Sequence, residues 1–264
     1  MQTDQLADVV SLQRTLYSSR NPTRRWLHTR RRDAIFAAIR TVPVPDADCA
    51  LEVGPGSGVY LPELCRRFTS VTAIDIEDHH LNEIEETFGN LHNLRLIKGD
   101  ICNCETLKEF DLVLCSEVIE HVPDPRMFMA AIARAVRLGG YLILSTPQPW
   151  SVMEVTARVA LSDPFIRFTR WVYREPVLPT GHISVQSGKR LRSLLRENGF
   201  EIIEPKYFGF YFPVVAEFGG NIGASVLQSI ERLIRRYGPR GVLWTQLYVA
   251  RKFEGGVAPK KGKT

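Results

Sequence analysis

Several things are scarce in this chain of 264 residues. It has five cysteines, at positions 49, 65, 102, 104 and 115, and no Cys-x-x-Cys pair. An odd number without a regular framework argues against a secreted disulfide scaffold. Cys102-x-Cys104 stands without a second pair or a nearby histidine to make a metal site. Histidine is sparse too, at 28, 79, 80, 92, 121 and 182 only. No apolar run is long enough to span a bilayer. The longest charge-free stretches, 207–216 and 218–230, are separated by Glu217 and contain glycines. The opening MQTDQLADVV lacks a cationic segment and a signal-peptide core. A reducing cytoplasm is the expected compartment. With 44% hydrophobic and 24% charged residues, a disordered or low-complexity chain is excluded. A core of this size needs no disulfide or metal staple.

Acidic residues are missing where arginines cluster. Residues 20–32 (RNPTRRWLHTRRR) hold six arginines and no acid. Lysines 260, 261 and 263 concentrate charge at the other end, so 254–264 reads as a disordered basic tail. The net charge of +5 therefore comes from two end segments, and the body is slightly acidic. The arginine cluster has three readings: a solvated helix face, a site for a phosphate or carboxylate, or a contact with an anionic membrane.

Residues 4–18 show helical spacing of apolar side chains. Asn21-Pro22 reads as an N-cap followed by Pro at the first helical position, opening a helix to about Arg40. From residue 49 the pattern becomes short apolar runs alternating with helical segments. Strands are expected at 49–53, 71–75, 94–98, 111–115 and 140–145, with helices at about 59–68, 78–88 and 125–137. Strands apolar on both faces imply a parallel sheet covered on both sides. A helix at 187–198 closed by Gly199, a strand at 200–204, an amphipathic helix at 222–236 and a strand at 242–250 follow. The two late strands are expected to form an antiparallel edge pair.

The strongest motif is LEVGPGSG at 51–58. A strand ends at Val53, glycines follow at 54, 56 and 58, and a helix begins. The dinucleotide spacing G-x-G-x-x-G would put its third glycine at position 59, which is Val59. Glu52 also stands beside the loop, where a carboxylate repels a pyrophosphate and suits a ligand with a cationic part.

This E-x-G-x-G-x-G pattern resembles motif I of the class I S-adenosylmethionine-dependent methyltransferases, in particular the ubiquinone-biosynthesis-like small-molecule enzymes. AIDIED around Asp75, KGDIC around Asp100, FDLVLCSEVIEHVPDP at 110–125 and RLGGYLILSTP at 137–147 are similar to the family's later motifs, in order. The resemblance implies a doubly wound, Rossmann-like α/β fold with a seven-stranded, mostly parallel sheet and an antiparallel edge strand. It implies a methyltransferase domain over 41–253, preceded by a helical extension at 1–40 and carrying a lid insertion at 147–181.

The resemblance also implies a site. Gly54, Gly56 and Gly58 would lie under the methionine part of S-adenosylmethionine, and Glu52 would face its amino group. Asp75, with Ile76 beside it, would hold the ribose. Asp100 and Ile101 would take the adenine, while Ser116 and Glu117 would line the cofactor and open onto the acceptor. His121 and His182 lie on the acceptor side and are the candidate bases, whereas His79, His80 and His92 are expected on surface segments away from the strand tips. SEVIEHV is similar to a segment that can bind a divalent ion in ubiquinone-pathway enzymes, but three ligands from one short segment make a weak site, and no metal is expected.

Aromatics hint at the acceptor. Five fall within 147–181, and six more within the twelve residues 207–218. Both segments belong to the strand C-terminal side, where such folds bind ligands. They read either as core for each other or as a lid over an apolar, lipid-like acceptor, methylated at oxygen. The alternatives are an RNA or tRNA methyltransferase that uses the arginine-rich helix on phosphates, and an S-adenosylmethionine-binding protein without chemistry. The favoured expectation is a small hydrophobic acceptor, no nucleic acid, and a peripheral membrane contact through the arginine-rich helix.

Overall fold

The computed structural model describes residues 17–44, 48–104, 109–160 and 183–253. Most of the early helix, the segment 161–182 of the insertion with His182, and the tail 254–264 lie outside the described residues.

The chain builds a seven-stranded sheet in the order β3-β2-β1-β4-β5-β7-β6. Five strands are parallel: β1 (Cys49–Val53), β2 (Ser70–Asp75), β3 (Leu94–Lys98), β4 (Phe110–Ser116) and β5 (Val136–Pro147). The last two, β6 (Phe200–Phe208) and β7 (Thr245–Lys252), are antiparallel to their neighbours. Helices α1 (Pro22–Thr41), α2 (Leu61–Arg67), α3 (Asp78–Phe88), α4 (Pro125–Ala135) and α5 (Val152–Ala160) precede α6 (Gly188–Glu197), α7 (Pro213–Phe218) and α8 (Gly220–Tyr237). This is the doubly wound α/β arrangement expected from the sequence.

Alternation along the strands divides the core. Leu51, Val53, Val113, Cys115, Leu142 and Leu144 pack on one face with Phe128 and Ile132 of α4 and Leu191 and Leu195 of α6. Ala50, Ala73, Leu112, Leu114 and Ile143 pack on the other with Ile35 and Ile39 of α1 and Leu61 and Leu64 of α2. Successive side chains point to opposite faces, so Glu52 shares Ala50's face, toward α1 and α2.

Helix α1 starts as its sequence predicts. Asn21 Oδ1 accepts from the amides of Thr23 (2.9 Å) and Arg24 (3.1 Å), and Pro22 needs no partner at the first position. Its buried stripe of Leu27, His28, Ile35, Ala38 and Ile39 packs into the layer over the sheet.

Two strands run longer than the sequence suggests. Strand β5 begins at Val136, because Val136 pairs with Phe110 across an irregularity ahead of the glycine pair. Strand β6 continues through Pro205 to Phe208, paired with β7 throughout. Proline cannot donate to a ladder, but β6 is the sheet edge, where no donor is needed on its open side. Strand β7 starts at Thr245 rather than 242 because Arg240–Val242 form a 3₁₀ turn.

Candidate functional site

The chain runs from β1 outward to β2 and β3, then returns to β4 on the other side of β1. Such a reversal leaves a crevice at the C-terminal ends of the two central strands. The glycine loop sits there. Gly54, Gly56 and Gly58 have φ of 64°, 53° and 70°, the left-handed region that side chains disfavour. Space is restricted as well: a Cβ on Gly54 would lie 2.6 Å from Val118 Cγ2. The backbone is therefore bare and close to whatever occupies the crevice.

Glu52 lies under this loop, 2% exposed. Its Oε2 is buried with no hydrogen-bond partner. Burial, and then the nearby Asp75 carboxylate, push its pKa well above the usual carboxylate range. An orphaned acid of this kind lacks a cationic or hydrogen-bond-donating partner.

Asp75 ends β2 and is buried, with Oδ1 accepting from the Glu77 amide at 2.9 Å. Its Oδ2 lies 3.2 Å from His80 Nδ1. Here the structure corrects the sequence reading. His80 is not on a surface segment away from the strand tips but stands against the β2 tip, with 14% of its side chain exposed. A helix opening at Asp78 brings its first turn back over the strand that precedes it. Ile76, next to Asp75, is 65% exposed. Beyond β3, Asp100 is exposed and closes its own turn, accepting from the Cys102 amide (2.9 Å) and Asn103 Nδ2 (3.1 Å). Ile101 is buried behind it.

The opposite side of the crevice is built on β4 and β5. Glu117 follows Ser116 and has a φ of 58°, the one positive value among the described non-glycine residues. Such a backbone costs about 1–3 kcal/mol and persists where surroundings over-determine it. They do so here. The Glu117 amide donates to Ser145 O (2.9 Å), Ser145 Oγ donates to Oε1 (3.0 Å), and Arg31 Nη1 donates to Oε2 (2.6 Å). Ser145 has one proton and gives it to Glu117, so Ser116 Oγ, 3.0 Å away, donates to Ser145.

Arg31 comes from the middle of α1. Its side chain is 11% exposed, and its guanidinium lies 5.2 Å from the Trp244 ring. Burial works against its charge, but Glu117 and its neighbours outweigh this and raise its pKa. His28, one turn earlier, packs edge-on against Trp244 with its pKa pushed down to about 3 by burial and then by Arg31 and Arg24. In the sequence Arg31 is only one member of a charged cluster. The signal that marks it is its place in the inward stripe, four residues after Leu27 and four before Ile35.

Glu120 is fully buried in the 3₁₀ turn Ile119–His121, with Oε2 accepting from Thr146 Oγ1 at 2.9 Å and Oε1 without a partner. Burial, followed by the Glu117 charge, raises its pKa well above normal. His121 is exposed at the end of the turn. The amides of Ile183 and Ser184 donate to Glu120 O, tying the chain just after His182 to the residue just before His121. Among the described residues, no three His, Cys, Asp or Glu side chains are grouped as a metal ion would require.

The sequence profile of the methyltransferase domain family matches residues 6–204. The chain belongs to this family, the class I S-adenosylmethionine-dependent methyltransferases. It is 34% identical over 99 residues to a ubiquinone biosynthesis O-methyltransferase of Nitrosomonas europaea, a match covering 36% of this chain and 42% of that one. The chain thus spans about two fifths of the length of the curated relatives it matches. Among solved structures, the N-methyltransferase NodS of Bradyrhizobium japonicum with S-adenosyl-L-homocysteine superposes with a TM-score of 0.56 at 17% identity, covering 92% and 96% of the two chains. A geranyl diphosphate methyltransferase in complex with S-adenosylmethionine gives 0.54 at 13%, covering 84% of each. At these identities the superpositions establish the fold.

The family's cofactor, S-adenosylmethionine, fits these residues. Its cationic, hydrogen-bond-donating methionine end would satisfy the orphaned Glu52 oxygen, and an anionic group would not. The arginine-rich helix of this family member is also less free than its sequence suggests. Arg24 pairs with Glu217 (2.9 Å), Arg30 with Glu231 (3.8 Å), Arg31 with Glu117 and Arg32 with Asp33 (2.9 Å). Except for Asp33, which is next to Arg32, these acids are far away in the sequence, so no local pattern announces their pairing.

Proposed function

We propose that this protein moves a methyl group from S-adenosylmethionine to a hydroxyl of a small, apolar acceptor. Glu52 carries the reading. A fully buried carboxyl with an unpartnered oxygen, beneath a loop of three left-handed glycines, calls for the positive end of that donor. The relatives named as ubiquinone biosynthesis O-methyltransferases support a small hydroxylated acceptor. Exposed apolar side chains at Trp150 and Phe212, next to the strand C-terminal side, support its apolar character.

The donor supplies an activated methyl on a positively charged sulfur. The chain's own residues do the rest. Glu52 and the glycine loop hold the methionine end, Asp75 with Ile76 the ribose, and Asp100 with Ile101 the adenine. Holding donor and acceptor aligned contributes up to about 7–11 kcal/mol in ideal cases. Ser116 and Glu117 form the wall between donor and acceptor. Arg31 and Ser145 fix the Glu117 carboxylate, so it can accept a hydrogen bond from the acceptor without swinging away. The acceptor proton leaves to His121 or His182, worth about 10²–10⁴-fold. With four of the six clustered arginines paired to acids, a phosphate-gripping helix for RNA is the weaker reading.

The test is isotopic. Purified protein is incubated with methyl-labelled S-adenosylmethionine and fractionated metabolite extract, and products are read by mass spectrometry. Label on an apolar hydroxylated compound, lost in Asp75→Ala, is the expected result. Label on RNA, or none on any small molecule, would refute the proposal.

A further inference from the structure

Helix α8 has a wider apolar arc than the protein covers. Its inner side buries Gly223, Ala224, Leu227 and Glu231. Next to that side, Ile222 (81% exposed), Val226 (45%), Leu233 (60%) and Tyr237 (74%) face outward. Their spacing of four, seven and four puts them on one stripe along a helix about 27 Å long. On the neighbouring helix α7, Val214 and Phe218 are exposed as well. Seven of the fifteen exposed large hydrophobics among the described residues fall within 212–237. This is a patch, not the ordinary scatter of single apolar residues on a surface.

The charged border of the patch is mainly basic, and the exposed acid that lines it, Glu204, pairs with Lys206 at 3.0 Å. The acid of α8, Glu231, is turned inward, where it accepts from the Gly209 amide at 3.0 Å. Arg232, Arg236 and Arg240 are exposed and have no acidic partner among the described residues. With Lys206 and Arg235 they line a cleft of about 400 Å³. It lies beside an apolar groove of about 490 Å³ formed by Ile222, Val226, Ile230 and Leu233 with Ser225 and Ser229. Angular positions on the helix, at 100° per residue, put Arg232 and Arg236 on the solvent border of the stripe.

We infer that helix α8 is a membrane-docking surface that lies on an anionic lipid leaflet, its stripe in the acyl boundary and its arginines on the headgroup phosphates. An apolar face bordered by arginine and small polar residues is the pattern of an interfacial helix. A second copy of this chain is a poor occupant. In a two-fold interface the patch meets itself, and helix α8 has no exposed acid to offer the arginines of the partner copy. The arginine-rich helix α1, expected from sequence to make such a contact, has Arg24, Arg30 and Arg31 committed to Glu217, Glu231 and Glu117 inside the protein. The inference is independent of the acceptor's identity.

Vesicle co-sedimentation of the full chain tests it, using phosphatidylcholine alone and an equimolar mixture of phosphatidylcholine and phosphatidylglycerol. The chain should prefer the anionic vesicles by on the order of 100-fold, since each basic residue near such a surface contributes about fivefold. The variant Arg232→Gln/Arg236→Gln/Arg240→Gln should lose that preference. Ile222→Ser/Leu233→Ser should weaken partition about tenfold while Arg borders remain. Unchanged S-adenosylmethionine affinity in both variants shows that they fold. Equal binding to the two vesicle types would overturn the inference. So would variants that bind as the native chain does, which would move the contact to 161–182 or to α1. A concentration-dependent dimer that Ile222→Ser/Leu233→Ser dissociates, without vesicle binding, would overturn it in favour of a second copy.

Discussion

Replacing Arg31 by methionine removes one charge from the best-defined interaction on the acceptor side. The side chain keeps much of its apolar length against Trp244 but loses the 2.6 Å bond to Glu117. Glu117 is then left with a negative charge at 18% side-chain exposure and with Ser145 as its remaining side-chain partner. Breaking a buried ion pair from one side costs about 3–5 kcal/mol. The residual exposure and the surviving Ser145 bond favour the low end, about 3 kcal/mol. For a chain of this size each kcal/mol moves the melting temperature by about 2–4 °C, so thermal unfolding should shift down by roughly 6–12 °C. The double variant Arg31→Met/Glu117→Gln removes the stranded charge and should return to within about 1 kcal/mol of the native chain. Turnover should stay low in both, because the single variant no longer fixes the Glu117 carboxylate through Arg31 and the double variant has no carboxylate there. If the single variant melts within about 1 °C of the native chain, or the double variant is the less stable of the two, the pair does not hold Glu117 in the way argued, at the stated scale.

Glu52→Gln should raise the stability of the unliganded protein at neutral pH and lower its S-adenosylmethionine affinity, measured by calorimetry. In the native chain the folded pKa lies above the unfolded one, so the folded state binds more protons between the two. Stability therefore falls as pH rises through that window, and the substitution flattens the fall. His28 acts with the opposite sign. Its folded pKa of about 3 lies below the model-peptide value, so the unfolded chain binds the extra proton and stability is lost as pH falls from about 6.5 towards 3. Chemical unfolding of His28→Gln at stepped pH should show a shallower acid limb, by up to about 1.4 kcal/mol per pH unit. Gly54→Ala would drive a methyl to 2.6 Å from Val118 Cγ2 at a φ of 64°. It should abolish cofactor binding and cost more than 1 kcal/mol of stability; an unchanged dissociation constant would mean that the loop does not form the cradle.

Much of the fold was legible because its signals are local. The apolar runs of β1 and β3 coincide with the strands, and Asn21-Pro22 caps α1 as its side-chain chemistry requires. The glycine spacing with Glu52 and the order of the acidic strand ends mark the crevice in the sequence itself. The extent of β6 was not legible. Pro205 reads locally as a strand end, and only its position at the sheet edge makes it harmless.

Composition, spacing and motif order by themselves determined the sheet, the glycine loop and the acids at the strand tips. Each of these depends on a residue and its near neighbours in the chain. Tertiary structure alone decided which charges are free. Arg31 meets Glu117 across 86 positions and Arg24 meets Glu217 across 193, while Arg236 and Arg240 stay unpaired beside an apolar stripe. A charge is spent or left available according to what the fold brings within a few ångströms of it, and that distance is not encoded in any window of the sequence.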